Sequence, residues 1–147
     1  MTMKKRTVEV PPRSARVAAA ARALVGVPFR LHGRDPATGL DCIGVAALAV
    51  RGGGSDAPVP VPTGYALRSG DVGRMLKGLA AAGLEPVGDN VPGTVALVLP
   101  GPRQLHLAVL TDAGFVHADG RAKRVVERPG ALPWLVLGRW RLREGEE

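Results

Sequence analysis

Residues 39–50 read GLDCIGVAALAV and carry the one cysteine of the chain, Cys42. The apolar run after Cys42 predicts a buried helix from about Asp41 to Arg51, entered from a polar loop rich in glycine. The thiol then stands at a helix N-terminus, where unpaired N–H groups and the helix dipole favour a thiolate. Asp41 is a suitable N-cap, and Gly44 permits close approach of another backbone. Taken alone, the site is either a nucleophile or a packing thiol.

The composition of the chain fits a single basic domain. It has 147 residues and a formal net charge of +7, which suits a polyanionic partner or a solvated arginine-rich surface. The arginines are spread along the chain without interleaved aromatics, so no specific nucleic-acid partner is expected. One cysteine excludes an internal disulfide and a cysteine-based zinc cluster. No apolar run is long enough for membrane insertion.

The N-terminal residues 1–10 are predicted to form a tail, and residues 11–147 a single domain. The first residues are basic, but charged side chains interrupt the segment that follows them. We therefore expect no secretory signal and synthesis in the cytoplasm. A role at the cell wall would need another means of delivery.

Helical patterns come first in the chain and strand patterns second. Apolar periodicity predicts helices over residues 13–25, 41–51 and 71–82, and strands over residues 94–99, 105–111, 114–118, 123–127 and 135–142. The Gly- and Pro-rich residues 52–64 are predicted to form an irregular connection. Helices followed by a meander of antiparallel strands indicate the α+β class.

A cysteine nucleophile needs a base, and the chain offers His32, His106 and His117. His106 begins one predicted strand and His117 ends the next, and side chains alternate along strands. If the turn between the strands has an even number of residues, both histidines share a face with the small Ala108. That face would leave space for the helix of Cys42. The alternatives are histidines that only satisfy backbone groups, or a metal pair, for which no third ligand stands at metal spacing.

Several segments, in order, resemble the NlpC-like family of papain-fold cysteine peptidases. Residues 23–33 (ALVGVPFRLHG) and 41–45 (DCIGV) are similar to its opening helix, Gly-x-Pro-aromatic turn, Gly-rich loop and Asp-Cys-x-Gly. Residues 92–97 (PGTVAL), 106–110 (HLAVL) and 115–118 (FVHA) resemble its later strands. The similarity runs from about residue 15 to the end. It is strongest to the compact tail-associated cell-wall peptidases of phages, prophages and gene transfer agents.

The resemblance implies a papain-like α+β fold, with N-terminal helices packed on an antiparallel sheet of about five strands. It implies hydrolysis of an amide bond in a peptidoglycan stem peptide through an acyl-enzyme, without a cofactor or metal. Cys42 would be the nucleophile, His106 the general base and then the acid, and His117 the group that orients His106. The backbone N–H of Cys42 would help to hold the oxyanion.

The resemblance also implies that Phe29, Asp41, Ile43 and Ala108 line the site. Phe29 stands where the family usually has tyrosine, and Ile43 stands where it usually has serine. The missing hydroxyl favours an alternative, a weakly active or non-catalytic protein of tail assembly or the tail tip. The implied partners are the peptidoglycan stem peptide and phage-tail-like proteins, with delivery to the wall by the tail. A papain-fold amidase or transferase acting on another acyl donor also stays open.

Overall fold

A computed structural model describes residues 10–55, 72–102 and 104–145. Most of the predicted tail over 1–10 and most of the predicted connection over 52–64 therefore lie outside the described residues. Within these ranges three helices precede the main sheet: α1 (Arg13–Arg22), α2 (Cys42–Gly52) and α3 (Val72–Ala81). Between α1 and α2, β1 (Arg34–Asp35) and β2 (Gly39–Leu40) form a two-stranded antiparallel ribbon. None of the described helices is long and apolar enough to span a bilayer.

The main sheet has six strands in the order β3-β8-β4-β5-β6-β7, and every neighbouring pair is antiparallel. The strands are β3 (Leu84–Pro86), β4 (Val95–Gly101), β5 (Gln104–Leu110), β6 (Gly114–Asp119), β7 (Arg124–Pro129) and β8 (Leu135–Leu142). The predicted α+β class is confirmed, with six strands instead of about five. The additional strand, β3, has only three residues, too few to show an alternating pattern. The sheet is not a simple meander, because β8 returns to lie between β3 and β4.

Helix α1 is held at its start by the C-terminal part of the chain. Pro12 at the N-cap provides no side-chain hydrogen bond, so the first N–H groups need another acceptor. The carboxylate of Glu144 accepts hydrogen bonds from the backbone N–H of Arg13 at 2.8 Å and of Ser14 at 2.9 Å. This carboxylate therefore connects the start of α1 to the C-terminal part of the described chain.

The two faces of the sheet are packed differently. One face meets α2 and forms the larger core, in which strand residues pack with residues of α2: Leu105, Leu107, Val109, Val116, Cys42, Val45 and Ala49. Since strand side chains alternate, the other face carries the even-numbered residues of β5. There Ala108, Leu110 and Phe115 form a second cluster, against which Trp134 packs. His106 and His117 are on the side of this second cluster.

Candidate active site

Asp41 organises the entrance to α2. Its buried carboxylate accepts the backbone N–H of Gly44 at 2.9 Å through Oδ1, and the backbone N–H of His32 at 3.0 Å through Oδ2. The guanidinium of Arg34 donates to Oδ1 at 2.7 Å. The predicted N-cap is therefore present, and both carboxylate oxygens are occupied. Asp41 positions the helix start, and the exposed His32 contributes its backbone N–H to this arrangement.

The loop before α2 lies directly on the first turn of the helix. A Cβ atom on Gly44 would stand 2.3 Å from the carbonyl oxygen of Gly33, and one on Gly33 would stand 2.2 Å from that of Gly39. Non-bonded atoms do not approach this closely, so glycine is required at both Gly33 and Gly44. The close backbone approach expected at Gly44 is confirmed.

The thiol of Cys42 is buried and protonated at neutral pH. Cys42 is 1% exposed, and burial raises the pKa of its thiol to about 12, with the negative charge of Asp41 adding to the effect. The backbone N–H of Leu107, the charge of Arg34 and the N–H of Cys42 itself act in the opposite direction. The favourable helix N-terminus is therefore outweighed by desolvation. Ile43 is buried in the same core, and Phe29 packs against it, half-buried.

Strands β5 and β6 separate beside the cysteine. They pair only at Val109 with Val116 and at Leu110 with Phe115, so the hairpin turn is even, as the shared-face argument requires. Beyond these pairs, β6 stays paired with β7, and β5 stays paired with β4. The gap between β5 and β6 is bridged by side chains, because Nε2 of His106 and Nδ1 of His117 lie 2.8 Å apart.

The histidine pair lies in an aromatic setting that the sequence interpretation did not assign to the site. The two imidazole centroids are 5.0 Å apart, and the Trp134 ring is 5.7 Å from His106 and 5.2 Å from His117. Burial, followed by the neighbouring His117, lowers the pKa of His106 to about 3. Burial also lowers the pKa of His117, Asp119 opposes this shift, and Arg128 adds to it. Both imidazoles are thus neutral at pH 7.

The cysteine approaches the pair from the other side of the sheet. The backbone N–H of Leu107, the residue after His106, lies close enough to the Cys42 thiol to lower its pKa against the effect of burial. The structure differs here from the expected approach over Ala108, because α2 packs on the odd-numbered side chains of β5 and Trp134 covers the histidine side. Within the described residues, no hydrogen bond joins the thiol to an imidazole. The structure therefore brings His106 and His117 into contact and places the Cys42 thiol near the backbone of Leu107, next to His106 in the chain.

No metal centre is formed by the residues that the structure describes, which contain no suitable group of three His, Cys, Asp or Glu side chains. Sequence reasoning missed Trp134 and Arg34 as neighbours of the site. Trp134 is one of only two tryptophans in a chain poor in aromatics, which is the signal that could have selected it. Arg34 offered no comparable signal among the many arginines.

With this geometry, the chain has the papain-like fold of NlpC/P60 cysteine peptidase domains. It superimposes on NlpC1 from Trichomonas vaginalis with a TM-score of 0.65 and 18% identity, over 99% of this chain and 49% of that one. The P60 domain of an antigen from M. avium subspecies paratuberculosis gives a TM-score of 0.51 and 24% identity, over 88% and 94% of the two chains. The NlpC/p60 domain of the peptidoglycan hydrolase SagA gives a TM-score of 0.50 and 22% identity, over 79% of this chain and 88% of that one.

The similarity to known proteins is one of fold. No family model and no curated protein matches the chain. The chain spans about half the length of the two Trichomonas vaginalis proteins that it resembles, 49% of NlpC1 and 51% of NlpC2. At these identities the similarity establishes the architecture, while the chemistry depends on the residues of this chain.

Proposed function

We propose that this protein is a cysteine peptidase that hydrolyses an amide bond in peptidoglycan stem peptides. The observation that carries the proposal is the hydrogen bond between His106 and His117, which spans the gap where Leu107 meets the Cys42 thiol. A nucleophile, a base and a group that orients the base are the minimum set for this chemistry. The fold supports the choice of substrate, since SagA, one of the similar structures, is a peptidoglycan hydrolase.

The proposed reaction uses the nitrogen of His106 that the histidine pair leaves free. Nε2 is engaged with His117, so Nδ1 takes the thiol proton as the Cys42 sulfur attacks the carbonyl carbon. The same nitrogen then gives the proton to the leaving amine, and an acyl-enzyme forms. Water, deprotonated by His106, releases the acid product and regenerates the thiol. The backbone N–H of Cys42 at the start of α2 is a donor for the oxyanion.

The free site does not store a thiolate–imidazolium ion pair. A thiol with a pKa of about 12 and an imidazole with a pKa of about 3 are both neutral at pH 7. Proton transfer therefore accompanies substrate entry, when the hydrogen bonds of the reacting groups shorten and align. This is general-base catalysis of thiol attack, and a thiolate is not present beforehand.

The test is digestion of purified peptidoglycan, followed by mass spectrometry of the released stem-peptide fragments and by measurement of new amino groups. We expect release by the wild-type protein, and loss of release in Cys42→Ala and His106→Ala. His32→Asn is the matched control, because asparagine tolerates the positive φ of 62° at this exposed loop position. Equal digestion by the Cys42→Ala variant would show that Cys42 is not the nucleophile.

We also propose that the peptidase works as part of a phage-tail-like particle that brings it to the cell wall. The sequence resemblance to tail-associated peptidases supports this role, and a net charge of +7 suits an anionic wall polymer. Mass spectrometry of purified tail particles from the producing cell should detect the protein. Its recovery only in the particle-free fraction would contradict the tail role and leave the peptidase proposal intact.

The second candidate is a tail-assembly or tail-tip protein of the same fold with weak or no catalysis. Phe29, which has no hydroxyl, and the 1% exposure of Cys42 favour it. Phe29→Tyr separates the two candidates in the digestion assay. Release only after this substitution would support the structural role, whereas release by the wild type supports the enzyme.

A further inference from the structure

His117 holds a buried polar atom that the proposed reaction leaves unexplained. The residue is 4% exposed, and its Nδ1 is hydrogen-bonded to His106. Its Nε2 is buried and has no hydrogen-bond partner among the described residues. A buried ring nitrogen without a hydrogen-bond partner lowers the stability of the fold. The loss is smaller where its surroundings suit the form of the nitrogen, either an N–H or a lone pair.

Two aromatic rings pack against the His117 ring. The Trp134 ring meets His117 at 5.2 Å with an interplanar angle of 69°, and the Phe115 ring meets it at 5.3 Å and 44°. The guanidinium of Arg128 lies 5.6 Å from the centroids of both rings. Aromatic faces carry negative π-electron density, so they attract an N–H and repel a lone pair. A face of either ring turned toward Nε2 therefore favours its protonated form.

The hydrogen bond within the pair has two possible directions. A neutral imidazole has one N–H and one acceptor nitrogen, so each direction fixes both tautomers. If His117 carries its proton on Nε2, its Nδ1 accepts from Nε2–H of His106, and Nδ1 of His106 is a free lone pair. In the opposite direction, His106 is protonated on Nδ1 and cannot take a proton from the thiol.

We propose that Trp134 is a positioning residue that selects the first direction, by holding a ring against the Nε2–H of His117 and so keeping Nδ1 of His106 unprotonated. Trp134 contacts the rings of both histidines and acts through the histidine pair. The consequence for catalysis rests on the proposed function, whereas the tautomer itself does not.

The test is ¹⁵N NMR of the imidazoles in protein labelled at histidine, at neutral pH. The two ring nitrogens of each tautomer have distinct shifts, and His32→Asn identifies the signals of the third histidine. In the wild-type protein we expect both His106 and His117 to carry the proton on Nε2. A proton on Nδ1 of His106 would overturn the proposal without any variant.

Two substitutions of Trp134 test its part. Trp134→Phe retains an aromatic face and should retain the wild-type tautomers, whereas Trp134→Leu should give a mixture with Nδ1–H on His106. Unchanged tautomers in a folded Trp134→Leu protein would refute the role of Trp134. If the leucine variant does not fold, loss of the wild-type tautomers in a folded Trp134→Phe protein refutes it. An absence of peptidase activity in all of these proteins would count against the proposed function alone.

Discussion

The thiol of Cys42 should react slowly in the native protein, and the structure gives the size of the effect. Its pKa is raised from 9.0 to about 12, so near neutral pH the thiolate fraction falls about a thousandfold. The more basic thiolate is intrinsically more nucleophilic, which offsets roughly twentyfold of this loss. Alkylation at pH 7 should therefore be about fifty times slower than for an ordinary cysteine. An exposure of 1% slows it further.

The assay is alkylation by iodoacetamide between pH 6 and pH 10, followed by intact-protein mass spectrometry. Because Cys42 is the only cysteine, the Cys42→Ala variant gives the background of alkylation at other side chains, and the difference reports on this thiol. The same protein in urea provides the reference rate of an exposed thiol. Asp41→Asn leaves the burial of the thiol, the main cause of its raised pKa, but removes the charge that adds to it, and the residue can still cap α2. This variant should react faster than the wild type.

One outcome would refute the reasoning from burial. If the native protein reacts at pH 7 as fast as the urea-unfolded chain, the thiol has a low pKa in solution. The resting site would then hold a thiolate–imidazolium pair, and His106→Asn should slow the reaction. A slow native rate that His106→Asn leaves unchanged supports the neutral resting state.

Three further predictions concern stability. The pKa of His106 is lower in the folded than in the unfolded chain, so the free energy of unfolding should fall as the pH is lowered from 6.5 to about 3, by up to about 1.4 kcal/mol per pH unit. Urea titrations should show a shallower pH dependence of stability for His106→Asn than for the wild type. An equal pH dependence in the two proteins would contradict this prediction. Gly44→Ala should cost about 1–3 kcal/mol by its clash with Gly33. In thermal melts Gly120→Ala, with nothing within 4 Å, should change little. Glu144→Ala should cost about 1 kcal/mol in urea by removing the acceptor at α1, and no loss would show that water replaces it.

Local rules were sufficient for the cysteine helix and for the histidine hairpin. Asp41 followed by an apolar run specifies a capped helix start, and the structure places Cys42 at its first position. Alternation along two strands joined by an even turn brings His106 and His117 onto one face. Both features depend only on residues that are close in sequence, and they could therefore be predicted from the sequence.

Contacts between distant segments account for what could not be predicted. The insertion of β8 beside the three-residue β3 depends on pairing across more than fifty positions, such as Glu85 with Arg141. The side of the sheet that α2 covers depends on packing across the whole sheet, although the odd-numbered residues of β5 are all apolar and the even-numbered ones include Gln104 and His106. Trp134 joins the site from the loop before β8, and no local pattern indicates that it contacts the histidines. Such choices are made by the packed core as a whole.

The bond between Glu144 and the start of α1 bears on the order in which the molecule folds during its synthesis. Glu144 follows Arg13 by 131 residues, so the ribosome has made nearly all of the described chain before this acceptor exists. Contacts of such long sequence separation slow folding, because the chain between them must first be ordered. The start of α1, the first helix among the described residues, therefore gains this acceptor only late in synthesis.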